Sequence, residues 1–181
     1  NRRFYNVTVN SLVTTTFITP VTVANVATIN GTLVSSGSDM QRIFMVNGID
    51  NTTPFVLGGS ADVDTAGYMF IRYEPETVGL TFNVAAGLYG HLAITGGSPG
   101  FVMTANLQGV LSTPLCGVYR DCAVLIGSLS TTYTPGGYMI FNTNNFSMTV
   151  GGTLWLGDGG NTGGTFNFGS SVIEAYGFNP T

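Results

Sequence analysis

The sequence predicts an all-β fold, a sandwich or a barrel, and three observations predict it. Segments rich in Val, Ile, Thr, Phe and Tyr are punctuated by Gly58-Gly59, Gly96-Gly97, Gly136-Gly137, Gly151-Gly152 and Gly159-Gly160, a regular spacing of turn signals. Helical periodicity is nearly absent. Its best window, residues 39–46, is short and runs into the turn dipeptide Asn47-Gly48, so it allows one short helix at most. Period-two alternation, in contrast, recurs along the chain.

The longest alternation is at the N-terminus. Odd positions read Tyr5, Val7, Val9, Ser11, Val13, Thr15, Phe17, Thr19, Val21 and Val23, and the even positions between them are mostly polar. An ordinary strand has about five or six residues. Residues 5–23, fully extended, reach roughly 60 Å at about 3.3 Å each, more than one small domain spans. Two explanations stand. Either the segment bends near residues 14–16 and serves two sheets in turn, or residues 1–23 leave a domain of residues 24–181 and add a strand to a neighbouring subunit. In the second case Tyr5, Val7, Val9, Val13, Phe17, Val21 and Val23 fill the partner's pockets, and a hazardous sheet edge is covered.

Further strands are expected, in order, over 28–34, 43–46, 55–57, 68–73, 79–84, 91–94, 101–107, 123–129, 137–141, 146–150, 153–156 and 165–178. Each is a β-branched or aromatic run near Gly, Pro or Asn. The last places Phe166, Phe168, Val172, Tyr176 and Phe178 in one phase, interrupted by Ser170 and Glu174, as in a core strand beside a groove or sheet edge.

Composition narrows the class. A chain of 181 residues suits one domain, or one domain with an extension. Only 8% of residues are charged and the five basic ones are all Arg. No window approaches the ~18 apolar residues of a membrane-spanning helix. An outer-membrane barrel passes that test, but regular hairpins and paired aromatic girdles are missing. With 44% hydrophobic residues and a net charge of −4 the chain folds instead of staying disordered. Arg42, Arg72 and Arg120 are scattered, so no basic face for nucleic acid is expected. Few titrating groups imply a weak dependence of stability on pH and tolerance of acid.

Three features point outside the cell. The chain starts at Asn1 without Met, as a mature form does after removal of a leader, and as a trimmed chain also does. Cys116 and Cys122 enclose five residues including a Gly, a spacing that suits a loop closed by a disulfide; buried free thiols are the alternative. N-glycosylation sequons begin at Asn6, Asn30, Asn51 and Asn145. Three lie beside turn signals and Asn6 lies on the polar side of the N-terminal alternation, so N-linked glycans are expected partners.

No catalytic constellation stands out in the sequence. The only histidine, His91, has no nucleophile elbow near it. Asp62/Asp64 and Glu74/Glu76 place paired acids on one side of an extended chain, as a Ca²⁺ site or a glycosidase requires, and equally as a solvated rim. Asp158-Gly159-Gly160-Asn161 reads as a turn, and no phosphate-binding loop appears. Two thiols do not complete a zinc site. Trp155, Tyr89, Tyr119 and Tyr133 read as packing residues before sugar-stacking ones. The expectation is a protein that is not an enzyme and carries no cofactor or metal.

The alternating segment ahead of a β-rich body, with the export signs and sparse charge, resembles pilin subunits joined by donor-strand complementation. Sequons, missing Lys and low charge make it most similar to archaeal thread-type filament subunits. That resemblance implies an immunoglobulin-like sandwich over residues 24–181 that lacks one strand. It also implies an N-terminal donor strand over residues 1–23, a homopolymer on the cell surface, and a role in adhesion or biofilm formation. Two other classes share parts of the pattern: a virion-surface or capsid jelly roll, with its long N-terminal arms, and a carbohydrate-binding adhesin module, with aromatics clustered on one face.

Overall fold

A computed structural model describes residues 2–35, 42–47, 52–63, 69–74, 81–94, 102–114, 123–127, 138–157 and 163–180. In chain order its strands are β1 (Arg2–Val9), β2 (Thr14–Phe17), β3 (Val21–Ile29), β4 (Thr32–Ser35), β5 (Arg42–Val46), β6 (Phe55–Leu57), β7 (Asp62–Val63), β8 (Met69–Tyr73) and β9 (Thr81–Val84). There follow β10 (Gly87–Leu88), β11 (His91–Ile94), β12 (Val102–Leu107), β13 (Leu111–Ser112), β14 (Val124–Ile126), β15 (Tyr138–Asn142), β16 (Met148–Leu156), β17 (Gly163–Asn167) and β18 (Ile173–Pro180). No helix occurs among the described residues, and the fold is all-β. The short helix allowed over residues 39–46 is replaced, in its described part, by β5. There Phe44 and Val46 alternate into the core, and burial of that stripe outweighs any helical tendency.

Every strand pair among the described residues is parallel. Parallel neighbours cannot be joined by a hairpin, so the chain must travel round before it returns. Here strands make the return. Between β1 and its neighbour β3 the chain passes through β2, which pairs with β4 in a different sheet. The chain is therefore a coil, a parallel β-solenoid. An eleven-stranded sheet holds β1, β3, β5, β8, β11, β14, β16 and β18 in succession, a second holds β9, β12, β15 and β17, and a third holds β2, β4 and β7.

One column shows the coiling most directly. Arg2, Val21, Phe44, Ile71, Leu92, Val124, Leu154 and Phe178 are successive register partners, one per turn. The steps run from 19 residues (Arg2 to Val21) to 32 residues (Leu92 to Val124), so the turns share a shape but not a length.

This arrangement corrects the immunoglobulin-like sandwich, whose strands pair antiparallel. Alternation reports which side of a strand is covered, not the direction of its partner. A strand with one face inside the coil and one outside carries the same signature as half of a sandwich.

The core is a stack of side chains along the axis. Phe44, Val46, Phe55, Ile71, Tyr73, Phe82, Tyr89, Leu92, Phe141 and Leu154 are all buried in it. Aromatic rings follow one another: Phe17 to Phe44 at 5.3 Å, Phe44 to Phe55 at 6.2 Å, Phe55 to Tyr73 at 6.1 Å and Tyr73 to Phe82 at 5.9 Å. Two phenols sit within this row. The Tyr89 hydroxyl donates to the Ala85 carbonyl at 2.7 Å, the Ala85 N–H donates to the Tyr73 hydroxyl at 3.1 Å, and the hydroxyls are 3.4 Å apart. Burial pushes Tyr73 up to about 12, against the hydrogen bonds from Tyr89 and Ala85, and pushes Tyr89 well above its ordinary value.

The long N-terminal alternation is divided among three strands. Its break lies earlier than residues 14–16, which belong to β2. It is the turn at residues 10–13, where the Val13 N–H donates to the Asn10 carbonyl at 3.1 Å and Leu12 takes φ 64°. A register shift between Phe4 and Asn6 also reverses the phase within β1. On one side of it Arg2 and Phe4 pair with the inward residues Val21 and Val23; on the other, Val7 and Val9 pair with Ala27 and Ile29. The next turn of the coil stacks on the corner at residues 10–13 through Gly31. A Cβ there would lie 2.3 Å from the Asn10 carbonyl oxygen and 2.4 Å from that of Val13, so only glycine fits.

Candidate assembly surfaces

The second sheet carries a row of amides on its outer side. In the segments Thr81-Phe-Asn-Val84, Thr104-Ala-Asn-Leu107, Ile140-Phe-Asn-Thr143 and Thr165-Phe-Asn-Phe168 the residue before Asn turns inward, and alternation sends Asn outward. Asn83, Asn106, Asn142 and Asn167 are register partners on successive turns. Asn142 Nδ2 donates to Asn106 Oδ1 and Asn167 Nδ2 to Asn142 Oδ1, each at 2.8 Å. Gln108 Nε2 bridges the next gap to Asn83 Oδ1 at 2.9 Å, and Asn83 Nδ2 donates to Thr53 Oγ1 at 3.0 Å. Asn25 is two residues before Ala27, which pairs with Phe55, so Asn25 stands beside Thr53, but its Oδ1 is buried without a hydrogen-bond partner and the chain of bonds is interrupted between the two. Asn25 Nδ2 donates to Asn6 Oδ1 at 3.0 Å.

These bonds share one direction. The donor always belongs to the later turn and the acceptor to the earlier, as in stacked-amide ladders where parallel copies repeat at ~4.8 Å. A row of this kind ends differently at its two ends. Asn6 leaves an amide N–H group facing along the axis, and Asn167 leaves its carbonyl oxygen.

The ends of the coil also carry its strand edges. Among the described residues, β1 pairs only with β3 and β18 only with β16, so each has an uncovered side. On β18 and the residue before it, Val172 is 59% exposed, Tyr176 86% and Phe178 59%. At the other end Phe4, Tyr5, Leu12 and Ile18 are exposed. Long apolar edges of this kind are templates for another chain.

The sequence-predicted residues divide accordingly. Val9, Val21 and Val23 are core residues of this chain's own coil, Val7 and Phe17 are half-buried against it, and Tyr5 and Val13 are exposed. Asn6 and Asn30 lie in the first turns of the coil, Asn6 in the amide row and Asn30 at a corner where its side chain fills the space beside Gly58. Asn145 is exposed in a turn with Asn144, both left-handed at φ 66° and 53°, and its Oδ1 accepts from the Ser170 N–H at 2.9 Å and hydroxyl at 3.1 Å. Asn51, Cys116 and Cys122 lie outside the described residues, as do Asp64, Glu76, Asp158, Asn161, Tyr119 and Tyr133.

Of the residues weighed for chemistry, His91 and Tyr89 are buried. Asp62 is exposed, Glu74 is held by Arg72 at 3.1 Å, and Trp155 is partly exposed on β16. Among the described residues no three His, Cys, Asp or Glu side chains gather where a metal ion could bind. No described helix is long and apolar enough to cross a membrane. The amide row was missed in the sequence, although the four segments ending in Phe-Asn-x or Ala-Asn-x were its visible signal. No family model matches this chain, and neither the curated proteins nor the solved structures provide a match.

Proposed function

We propose that this chain is a structural subunit of an extracellular filament whose copies add head to tail along the coil axis. The observation that carries this reading is the complementarity of the two ends. Both present an edge of the same parallel sheet, and the amide row ends in a donor at Asn6 and an acceptor at Asn167. A copy placed on the axis in the same orientation meets both, and its backbone edge is covered by strand addition. Such an interface joins unlike surfaces and does not close on itself, so it builds a fibre. The coil ends take the role that the sequence assigns to a free N-terminal arm, with the homopolymer and a cell-surface place retained.

Glycans enter this scheme with a constraint. A glycan on Asn6 would occupy the nitrogen that faces the neighbouring copy, whereas Asn145 offers a turn on the outer surface. Assembly and modification of Asn6 therefore exclude each other.

The test is electron microscopy with fibre diffraction of the purified 181-residue chain. Expected are unbranched filaments with a ~4.8 Å meridional spacing and an axial repeat of roughly 34 Å, from seven turns of the coil. Closed shells would favour the capsid reading instead, and a chain that stays monomeric at all concentrations would remove the proposal.

A further inference from the structure

Resting on the head-to-tail reading, we infer that two copies join by exchange of a half-strand: residues 177–180 of one copy replace residues 2–4 of the next beneath Val21, Thr22 and Val23. The column positions require an exchange of this kind. Residues 2–4 pair with Val21, Thr22 and Val23, and the column that begins there ends with Phe178, Asn179 and Pro180 on Leu154, Trp155 and Leu156. Asn167, in contrast, is the last amide of its row and Asn6 the first. A coaxial copy that sets its Asn6 on Asn167 therefore brings its residues 2–4 onto the place already held by residues 177–180. One segment has to leave.

The chemistry of the column decides which. From Val21 to Phe178 it is Val, Phe, Ile, Leu, Val, Leu and Phe, and Arg2 is its only charged member. At the free end of a coil the Arg2 guanidinium reaches water. Enclosed between Leu154 and the neighbour's Val21 it would be a buried cation in an apolar stack. Phe178 is 59% exposed in the single chain, and the same enclosure covers it. The exchanged joint thus replaces Arg2 by Phe178 and makes the column apolar throughout.

The structure also supplies the hinge. The register shift between Phe4 and Asn6 interrupts the β1 ladder, so residues 2–4 detach while Asn6, Val7, Thr8 and Val9 stay paired with β3. Arg2, Arg3 and Phe4 are all exposed, whereas Val9 at the far end of β1 is buried, so the segment that leaves is the one with least packing to lose.

The test uses the full chain with two changes made separately. Arg2→Val strengthens the hold of residues 2–4 on their own column, so exchange predicts an assembly lag lengthened several-fold in light scattering. Plain stacking without exchange predicts a shorter lag, because a charge is removed from the contact. A photo-crosslinking side chain, Asn179→p-benzoylphenylalanine, reports the register: exchange gives an intermolecular crosslink to the peptide around Thr22, and plain stacking gives one to Arg3. A shortened lag or a crosslink to Arg3 overturns the exchange while leaving head-to-tail assembly in place. A wild-type chain that stays monomeric removes that assembly itself, and the exchange with it.

Discussion

Phe44 and Phe178 stand in one column, five turns apart, and share residue type, strand context and inward register, yet one is 1% exposed and the other 59%. The difference is the presence of a turn on each side. In a coil of stacked turns a side chain is buried by its neighbours above and below, so burial belongs to position along the axis and not to the local pattern. The amide row repeats the lesson on the outer surface. Asn142 is bonded on both sides, whereas Asn6 and Asn167, at the ends, each have one amide partner in the row.

The largest contrast is expected from the same substitution at the two phenylalanines. Phe44→Ala should lower the unfolding free energy by about 3–5 kcal/mol through the cavity it leaves among Phe17, Phe55 and its column neighbours. Phe178→Ala should cost a monomer less than about 1 kcal/mol. Chemical denaturation of the monomer measures both, and equal losses would break the distinction between middle and end.

An alkaline titration sharpens the account of the middle. Tyr73 and Tyr89 are both raised above 10 in the folded chain, so the folded form keeps protons that the unfolded form releases. Stability is therefore full below pH 10 and falls as pH climbs through 10 toward about 12. The part due to Tyr73 is on the order of 2–3 kcal/mol. Tyr73→Phe should flatten that decline in denaturation midpoints measured between pH 9 and pH 12. An unchanged slope would show that the buried phenols do not govern it.

Smaller effects are expected in the amide row. Asn142→Ala removes a donor bond to Asn106 and an acceptor bond to Asn167 at a half-buried position, a loss of about 1–2 kcal/mol. Asn6→Ala, at the end of the row, should change monomer stability by less than about 0.5 kcal/mol while weakening assembly. Thermal unfolding of the two variants beside a sedimentation assay separates the roles, and a monomer equally damaged by both would show that the row has no privileged ends.

A good part of the molecule was legible along the chain. The segments expected at 55–57 and 91–94 have those bounds, and those expected at 43–46, 68–73, 79–84, 101–107, 123–129 and 137–141 each overlap one strand, because β-branched and aromatic runs between Gly, Pro and Asn announce strands wherever they pair. The rest differ: 28–34 runs across the corner between β3 and β4, 146–150 and 153–156 are the single strand β16, and 165–178 joins β17 to β18, which lie in different sheets and leave Val172, Tyr176 and Phe178 exposed. The two-residue strands β7, β10 and β13 were not found. They are too short for any periodicity, and only the turns stacked on them make them strands. The N-terminal alternation is, as expected, too long for one strand, and Val7, Val9, Phe17, Val21 and Val23 do face the core, but Tyr5 and Val13 do not. The register shift after Phe4 sends Tyr5 to the surface, and Val13 follows in the exposed corner beyond Asn10.

By itself, then, the sequence determined that the chain is built of strands, which residues alternate in many of them and that charge is scarce, since these depend on side chains and their nearest neighbours; the Gly151-Gly152 turn signal instead lies inside β16, and the need for glycine at Gly31 comes from the stacked corner. Only the tertiary structure decided that the partners are parallel, that the chain coils, and that Asn83, Asn106, Asn142 and Asn167 form one row. The physical reason is that a pleated strand looks the same in sequence whether its neighbour runs with it or against it. Turns of 19 to 32 residues also hide a repeat that exists in space but not at a fixed interval along the chain.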